Sequence, residues 1–145
     1  MITEDIRTRA RSVLDAALHG VLATIDENGF PQARTMWTAG VDDDFTIHFV
    51  THRSSAKCAH IAVNPKVCAF WAPVDNGQLG GGFLCIKGEA CLTDDQSMRD
   101  RFWVDELKEH FAGGKEDPNY VIMIIRPKQL TAMDMAHYPP DVVDF

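Results

Sequence analysis

A chain of 145 residues, 46% hydrophobic and 24% charged, has the balance of a folded globular protein. It is long enough to bury a core as one domain over residues 1–145. Its net charge of −7 argues against a nucleic-acid partner, which needs a broad basic face. No apolar run approaches the roughly 20 residues of a membrane span, and the acidic start Met1-Ile2-Thr3-Glu4-Asp5 lacks the apolar stretch of a signal peptide; the expectation is a cytoplasmic protein with no membrane partner.

Thr3 can cap a helix with Glu4 and Asp5 in its first turn, and Ile6, Ala10, Val13, Leu14, Ala17 and Leu18 then recur at helical spacing. Val21, Ala23 and Ile25 alternate as a short strand, and Asp26-Glu27-Asn28-Gly29 is a hairpin turn. The returning strand runs from about Phe30 to Ala39, with Gln32, Arg34, Met36 and Thr38 on one face and Ala33, Thr35 and Trp37 on the other. Gly40 to Asp44 makes a turn. The next strand places Phe45, Ile47, Phe49 and Thr51 on one face, then turns between Thr51 and Ser54 into a helix that Asn64-Pro65 stops after Val63.

Lys66 to Trp71 is again a strand, and Ala72 to Gly82 a flexible hairpin connection whose triple glycine lacks the strand–helix context of a dinucleotide fingerprint. Phe83 to Leu92 is a strand with a bend or bulge expected at Gly88. Thr93-Asp94-Asp95 opens a helical region with an apolar stripe of Met98, Phe102, Leu107 and Phe111, closed at Gly113-Gly114. Tyr120 to Ile125 is the most apolar strand, expected at the centre, and the tail with Tyr138-Pro139-Pro140 reads as an extended arm. Six strands in antiparallel connection, with few helices, predict a small closed barrel whose helices cover its openings.

Thr51, Arg53, Ser54, Ser55 and Lys57 gather hydroxyls and cations at the start of the second helix. Unpaired amides and the helix dipole favour an anion there. An ordinary helix capped by Ser54 or Ser55 explains the same residues, and both readings stand at this point. Cys58, Cys68, Cys85 and Cys91 form no close ligand pair and read as reduced core or near-core residues. His48 and His52 are four apart across a strand end, with no accompanying carboxylate, so no metal site is expected.

The element order, together with Leu22-Ala23-Thr24, Asn28-Gly29, Arg34-Thr35-Met36, Thr51-x-x-x-Ser55-x-Lys57, Asn64-Pro65, Gly88-Glu89-Ala90, Phe102-Trp103 and Asp117-Pro118-Asn119-Tyr120, resembles the pyridoxamine 5′-phosphate oxidase-like family. That family comprises FMN-binding split β-barrels, and the chain is most similar to its small general-stress-type branch. The resemblance implies a mainly β fold with flanking helices, a six-stranded antiparallel split barrel. It implies that Arg34, Ser55 and Lys57 hold the FMN phosphate, that Thr51 lies at the ribityl-phosphate end, and that Thr35 and Met36 lie along the isoalloxazine ring. It further implies a homodimer with flavin at the subunit interface and Trp103 as a candidate contact from the second chain. The chemistry of the residues agrees, since arginine grips phosphate through a planar fork and lysine adds a point charge.

The departures are specific. Ala56 stands where the family's vitamin oxidases carry an arginine, Trp37-Thr38-Ala39-Gly40 offers no lysine, and the tail His137 to Phe145 lacks their Trp- and Arg-rich segment. The expectation is an FMN-dependent oxidoreductase acting with a small-molecule electron donor or acceptor, but not a vitamin B6 oxidase. No nucleophile–base pair marks catalytic residues. The alternatives are a non-catalytic flavin carrier or sensor, and a split barrel that takes the deazaflavin F420 or haem.

Overall fold

In the computed structural model, which describes residues 1–145, the first apolar stripe forms helix α1 (Glu4–Ala16). Thr3 caps it, its hydroxyl accepting from the Ile6 amide at 3.3 Å. Ala10 is fully buried, and Ile6, Val13 and Leu14 pack against the main core. Strands β1 (His19–Ile25) and β2 (Pro31–Val41) follow as an antiparallel hairpin that sets Leu22 opposite Arg34 and Gly20 opposite Met36. Then come β3 (Ile47–His52), α2 (Ala56–Val63) and β4 (Lys66–Trp71). Two-residue strands β5 (Val74–Asp75) and β6 (Gln78–Leu79) make a small hairpin before β7 (Gly82–Thr93). Helix α3 (Gln96–Phe102), two 3-10 turns (Asp105–Glu109 and Gly114–Glu116), β8 (Tyr120–Asp134) and β9 (His137–Asp144) complete the chain.

The large sheet runs β3-β2-β1-β4-β7-β8-β9, and β3 also pairs with β8. That second pairing closes six strands into an antiparallel split barrel, with β9 attached outside the closure. Inward side chains alternate as the pleat demands: Val67, Ala69 and Trp71 from β4 meet Leu84 and Ile86 from β7, with Phe49, Met123 and Leu130 among their neighbours in the core. A second cluster of Phe102, Leu107, Phe111, Tyr120 and Ile122 lies apart from it, with Trp103 packed alongside. Arg99 ties that cluster to the wall. Its Nε donates to the Tyr120 carbonyl at 3.0 Å, and the Tyr120 hydroxyl donates back to the Arg99 carbonyl at 2.7 Å.

Several expectations change. Phe45 is not a strand residue: it sits in the preceding turn at φ 64°, held there because its ring is fully buried with the Arg11 guanidinium 4.5 Å above it. The helical region does not run to Gly113. It stops at Phe102 and continues as 3-10 turns, since the apolar positions after 102 lose helical spacing. The tail is no free arm, because β9 pairs with β8 and sets Val143 opposite Leu130. The 72–82 connection, by contrast, is a hairpin as expected, turning at Asn76 and Gly77, both at positive φ. Of the cysteines, Cys58 is buried, Cys68 and Cys85 are half-buried, and Cys91 is exposed on an outward position of β7 rather than near the core.

Gly88 does mark a bulge. The β7–β8 register shifts between Lys87 and Gly88, and a Cβ on Gly88 would lie 2.4 Å from the Arg126 carbonyl oxygen and 2.9 Å from Ile125 Cγ2. Neither neighbour can yield without moving the longest strand. Gly88→Ala is therefore expected to cost about 1–3 kcal/mol and lower the thermal midpoint by roughly 3–10 °C; an unchanged melting curve would show that β8 relaxes there freely.

Candidate functional site

Where β3 ends and α2 begins, the chain lines a cleft of about 740 Å³. One wall is Thr35, Met36 and Trp37 of β2 with Val50, Thr51 and His52 of β3. Lys57, in the first turn of α2, stands at one side. The opposite wall comes from the 3-10 stretch: Val104, Glu106, Leu107, His110 and Phe111. The Phe111 ring packs that stretch against Tyr120, centroids 5.2 Å apart, and Tyr120, held by Arg99, faces His52 across the β3–β8 ladder.

Of the residues singled out in the sequence, Thr35, Met36, Thr51 and Lys57 line this cleft. Ser55 joins them, its hydroxyl 3.3 Å from that of Thr51. Ser55 is the N-cap of α2 by backbone position, yet its side chain makes no cap bond. The capping reading thus explains the position of Ser55 but not its hydroxyl, while the first amides of any helix lack intrahelical partners. Met36 does double service, since it is also buried in the main core. Trp103 is not among the lining residues; its ring packs on Tyr120 with centroids 5.3 Å apart.

Arg34 lies behind the wall on the inward face of β2. Its Nη1 donates to the Leu22 carbonyl at 3.1 Å and to the Thr24 hydroxyl at 2.8 Å. A guanidinium can only donate, so the Thr24 oxygen accepts from Arg34, and the same hydroxyl shares a second hydrogen bond with His60 Nδ1, 2.8 Å away. Strand β1 and helix α2 thereby fix the cation in place. Neither Arg34 nor Lys57 has a carboxylate within ion-pair distance, although four arginine–aspartate ion pairs form elsewhere in the chain. Burial holds the Arg34 guanidinium below its usual pKa. Burial also lowers that of Lys57, against an opposing pull from Cys58, and the charge of Arg34 lowers it a little further. Two partly buried cations that repel one another are an arrangement that a bound anion would stabilise.

The two histidines four apart go separate ways. His48 is buried with Nε2 2.9 Å from Asp42 Oδ2, on the side of α3. His52, which the sequence places in the turn after Thr51, instead ends β3, lines the cleft and stacks on Phe111 with centroids 5.8 Å apart. Its Nδ1 lies 3.3 Å from the Ser54 amide, which can only donate, so Nδ1 is the acceptor and the ring proton sits on Nε2. Arg53 does turn outward, to Asp94 and the Pro118 carbonyl. Sequence reasoning missed Glu106, His110 and the supporting pair Thr24 and His60. The first two lie in irregular turns with no periodicity to read; the latter two are polar residues on otherwise apolar elements.

The family model described as pyridoxamine 5′-phosphate oxidase matches residues 6–134. General stress protein 26 of Bacillus subtilis is 30% identical over 140 residues, covering 97% of this chain and 96% of that protein. A pyridoxine/pyridoxamine 5′-phosphate oxidase of Alkalilimnicola ehrlichii is 31% identical over 114 residues, 76% of this chain, but the match spans 54% of that enzyme's length. Among solved structures, the General Stress Protein 26 of Bacillus anthracis superposes with a TM-score of 0.79 at 23% identity, over 97% of this chain and 98% of that one. A protein of Clostridium acetobutylicum related to general stress protein 26 reaches a TM-score of 0.82 at 18% identity, over 99% and 97%. The structural likenesses establish the split-barrel fold. With the family match and the Bacillus subtilis relative, the chain belongs to the pyridoxamine 5′-phosphate oxidase-like family, and resembles its general stress protein 26 members over almost its whole length.

The Arg34–Thr24–His60 chain generates a test that needs no ligand. Thr24 is fully buried, so Thr24→Val leaves two polar neighbours short of a partner at nearly constant volume. Chemical denaturation should show a loss of about 1–3 kcal/mol; unchanged stability would mean that Arg34 and His60 find other partners.

Proposed function

We propose that residues 1–145 form a single FMN-binding domain and that the protein is a flavin-dependent oxidoreductase acting with a small-molecule electron donor or acceptor. The observation that carries this reading is the pair Arg34 and Lys57, partly buried and without a carboxylate partner. A phosphate dianion supplies the missing charge, and the hydroxyls of Ser55 and Thr51 beside the start of α2 supply donors to its oxygens. Thr35, Met36 and Trp37 along β2 then offer an extended wall to a flat ring, opposite Leu107 and Phe111. Bound FMN would supply hydride or electron transfer. The residues of the chain hold the phosphate, seat the ring and present the Nε2 proton of His52.

Vitamin B6 oxidation does not fit. A substrate with its own phosphate needs a second cationic set in the same cleft, where Lys57 is the one cation and Glu106 the one carboxylate. Arg53 is paired with Asp94, and Lys66 and Lys87 border a different cleft. The chain also spans about half the length of the curated oxidases it matches.

Haem is the second reading, favoured by the two imidazoles His52 and His110 in the cleft and by the fold shared with a haem-binding protein of Mycobacterium smegmatis, at a TM-score of 0.67. The absorption spectrum of the purified protein separates it from flavin. Reduction by a nicotinamide donor in the absence of oxygen separates an oxidoreductase from a carrier or sensor. The four unpaired cysteines suit the reducing cytoplasm, which is where the reading puts the protein.

Calorimetric titration should show FMN bound in preference to FAD and riboflavin. Lys57→Ala should weaken FMN about ten- to hundredfold, the loss of one charge-assisted contact, while leaving the flavin-free fold intact. Equal affinity for riboflavin would sink the phosphate assignment.

The same reading calls for a homodimer. Trp37 and Val104, both at the cleft, remain 37% and 38% exposed, so a lone chain would leave a bound ring open to water. A second copy covering the cleft with two-fold symmetry removes that exposure. Light scattering at micromolar concentration should give about twice the 16.2 kDa chain mass. A monomer that keeps full FMN affinity would refute it.

A further inference from the structure

The barrel wall away from the cleft carries a second arrangement with chemistry. On the outward face of β4 and β7, Cys68 stands opposite Lys87 and Cys85 opposite Phe70. The two sulfurs meet on the diagonal between neighbouring rungs, 3.2 Å apart. Both side chains are half-buried, and the rings of Phe70 and Phe83 lie beside each other with centroids 5.4 Å apart. Neither cysteine lines the cleft or takes part in the flavin reading.

We propose that Cys68 and Cys85 form a dithiol that reacts with hydroperoxides and closes to an intrachain disulfide joining β4 to β7. The pair is asymmetric in the way such a reaction needs. The Cys85 thiol is drawn down to about 7 by its hydrogen bond with Cys68, against the effect of burial, and the charge of Lys87 lowers it further. That same hydrogen bond, with burial, pushes the Cys68 thiol up. The pair therefore gives up its first proton more readily than a lone thiol, so that near neutral pH a thiolate shared by the two sulfurs is populated, and Lys87, opposite Cys68, favours it.

The steps balance. The Cys85 thiolate attacks one oxygen of the hydroperoxide; an S–O bond forms, the O–O bond breaks, and the leaving alkoxide or hydroxide takes up a proton. Sulfur has lost two electrons and the peroxide has gained them, leaving a sulfenic acid on Cys85. Cys68 then attacks that sulfur. An S–S bond forms, the S–O bond breaks, and the departing hydroxide leaves with the Cys68 proton as water. Hydrogen peroxide, the smallest member of the class, can reach a half-buried sulfur.

The closed disulfide would bracket the segment from Ala69 to Leu84. That segment includes the β5–β6 hairpin and Trp71, whose indole donates to the Thr38 hydroxyl at 3.0 Å. Oxidation thereby fastens one side of the barrel without touching Lys57 or Arg34.

The test treats the purified, reduced full-length protein with hydrogen peroxide, alkylates the remaining thiols and maps the peptides. Two of the four thiols should escape alkylation, and a linked peptide pair containing Cys68 and Cys85 should appear, reversible by dithiothreitol. Below the ionisation of Cys85 near pH 7, the rate should fall roughly tenfold per pH unit. Cys68→Ser should stop the reaction at a sulfenic acid on Cys85 that a cyclic diketone traps. Four alkylatable thiols after treatment would overturn the proposal, as would oxidation of exposed Cys91 ahead of Cys85, or a link between two chains.

Discussion

The pairing of β3 with β8 is the contact on which the rest of the molecule depends. Six consecutive residue pairs, from Ile47 opposite Ile125 to His52 opposite Tyr120, join strands more than 60 residues apart in the chain. Closing such a loop costs entropy before any contact repays it. Repayment comes from both faces of β8: Met123 and Ile125 enter the main core, while Tyr120 and Ile122 anchor the second cluster. The same ladder fixes where β3 stops, hence where His52 turns into α2 and where Lys57 is delivered. It also brings Tyr120 to Arg99, so the turns forming the far side of the cleft are hung from the strand that closes the barrel.

Against that rigid frame the charge arrangement is costly. Arg34 and Lys57 are both drawn partly out of water and repel each other. A base whose pKa is lowered by folding opposes folding at every pH where it stays charged, and the opposition fades only as pH rises toward its unfolded value. For Lys57 that window lies in the alkaline range, so at neutral pH the penalty is fully present. On the proposed reading a bound dianion would reverse the balance by giving both cations a partner. The Thr24–His60 support holds Arg34 in place without it.

Much of this was legible in the residues. The alternation of β1, β2, β4 and β7, the Gly88 bulge and the Asn64-Pro65 stop all follow from local rules that tertiary packing reinforces. Thr51, Ser55 and Lys57 were readable because hydroxyls and a cation at a helix start are unusual in so acidic a chain. What escaped depends on distant partners. Phe45 alternates like a strand residue, but the arginines of α1 take its ring and the backbone turns to positive φ. Glu106 and His110 reach the cleft through 3-10 turns whose course is set by Arg99 and Tyr120, not by their own spacing. Cys68 and Cys85 are 17 residues apart in sequence, and their contact comes from the β4–β7 register alone.

Strand β9 has β8 as its sole neighbour in the sheet, so its other side exposes backbone groups to which a stray strand could add. Pro139 and Pro140 have no amide hydrogen to offer an incoming strand, and they fall where the β8–β9 register breaks, between Ala132 and Asp134. Asp144 follows on the same strand in a chain of net charge −7, while Asp141 is tied to Arg9 of α1, so a second copy approaching edge to edge would meet the repulsion of like charge. The closing segment of the molecule thus resists polymerisation, and replacing its prolines would remove part of what keeps the protein from stacking into fibres.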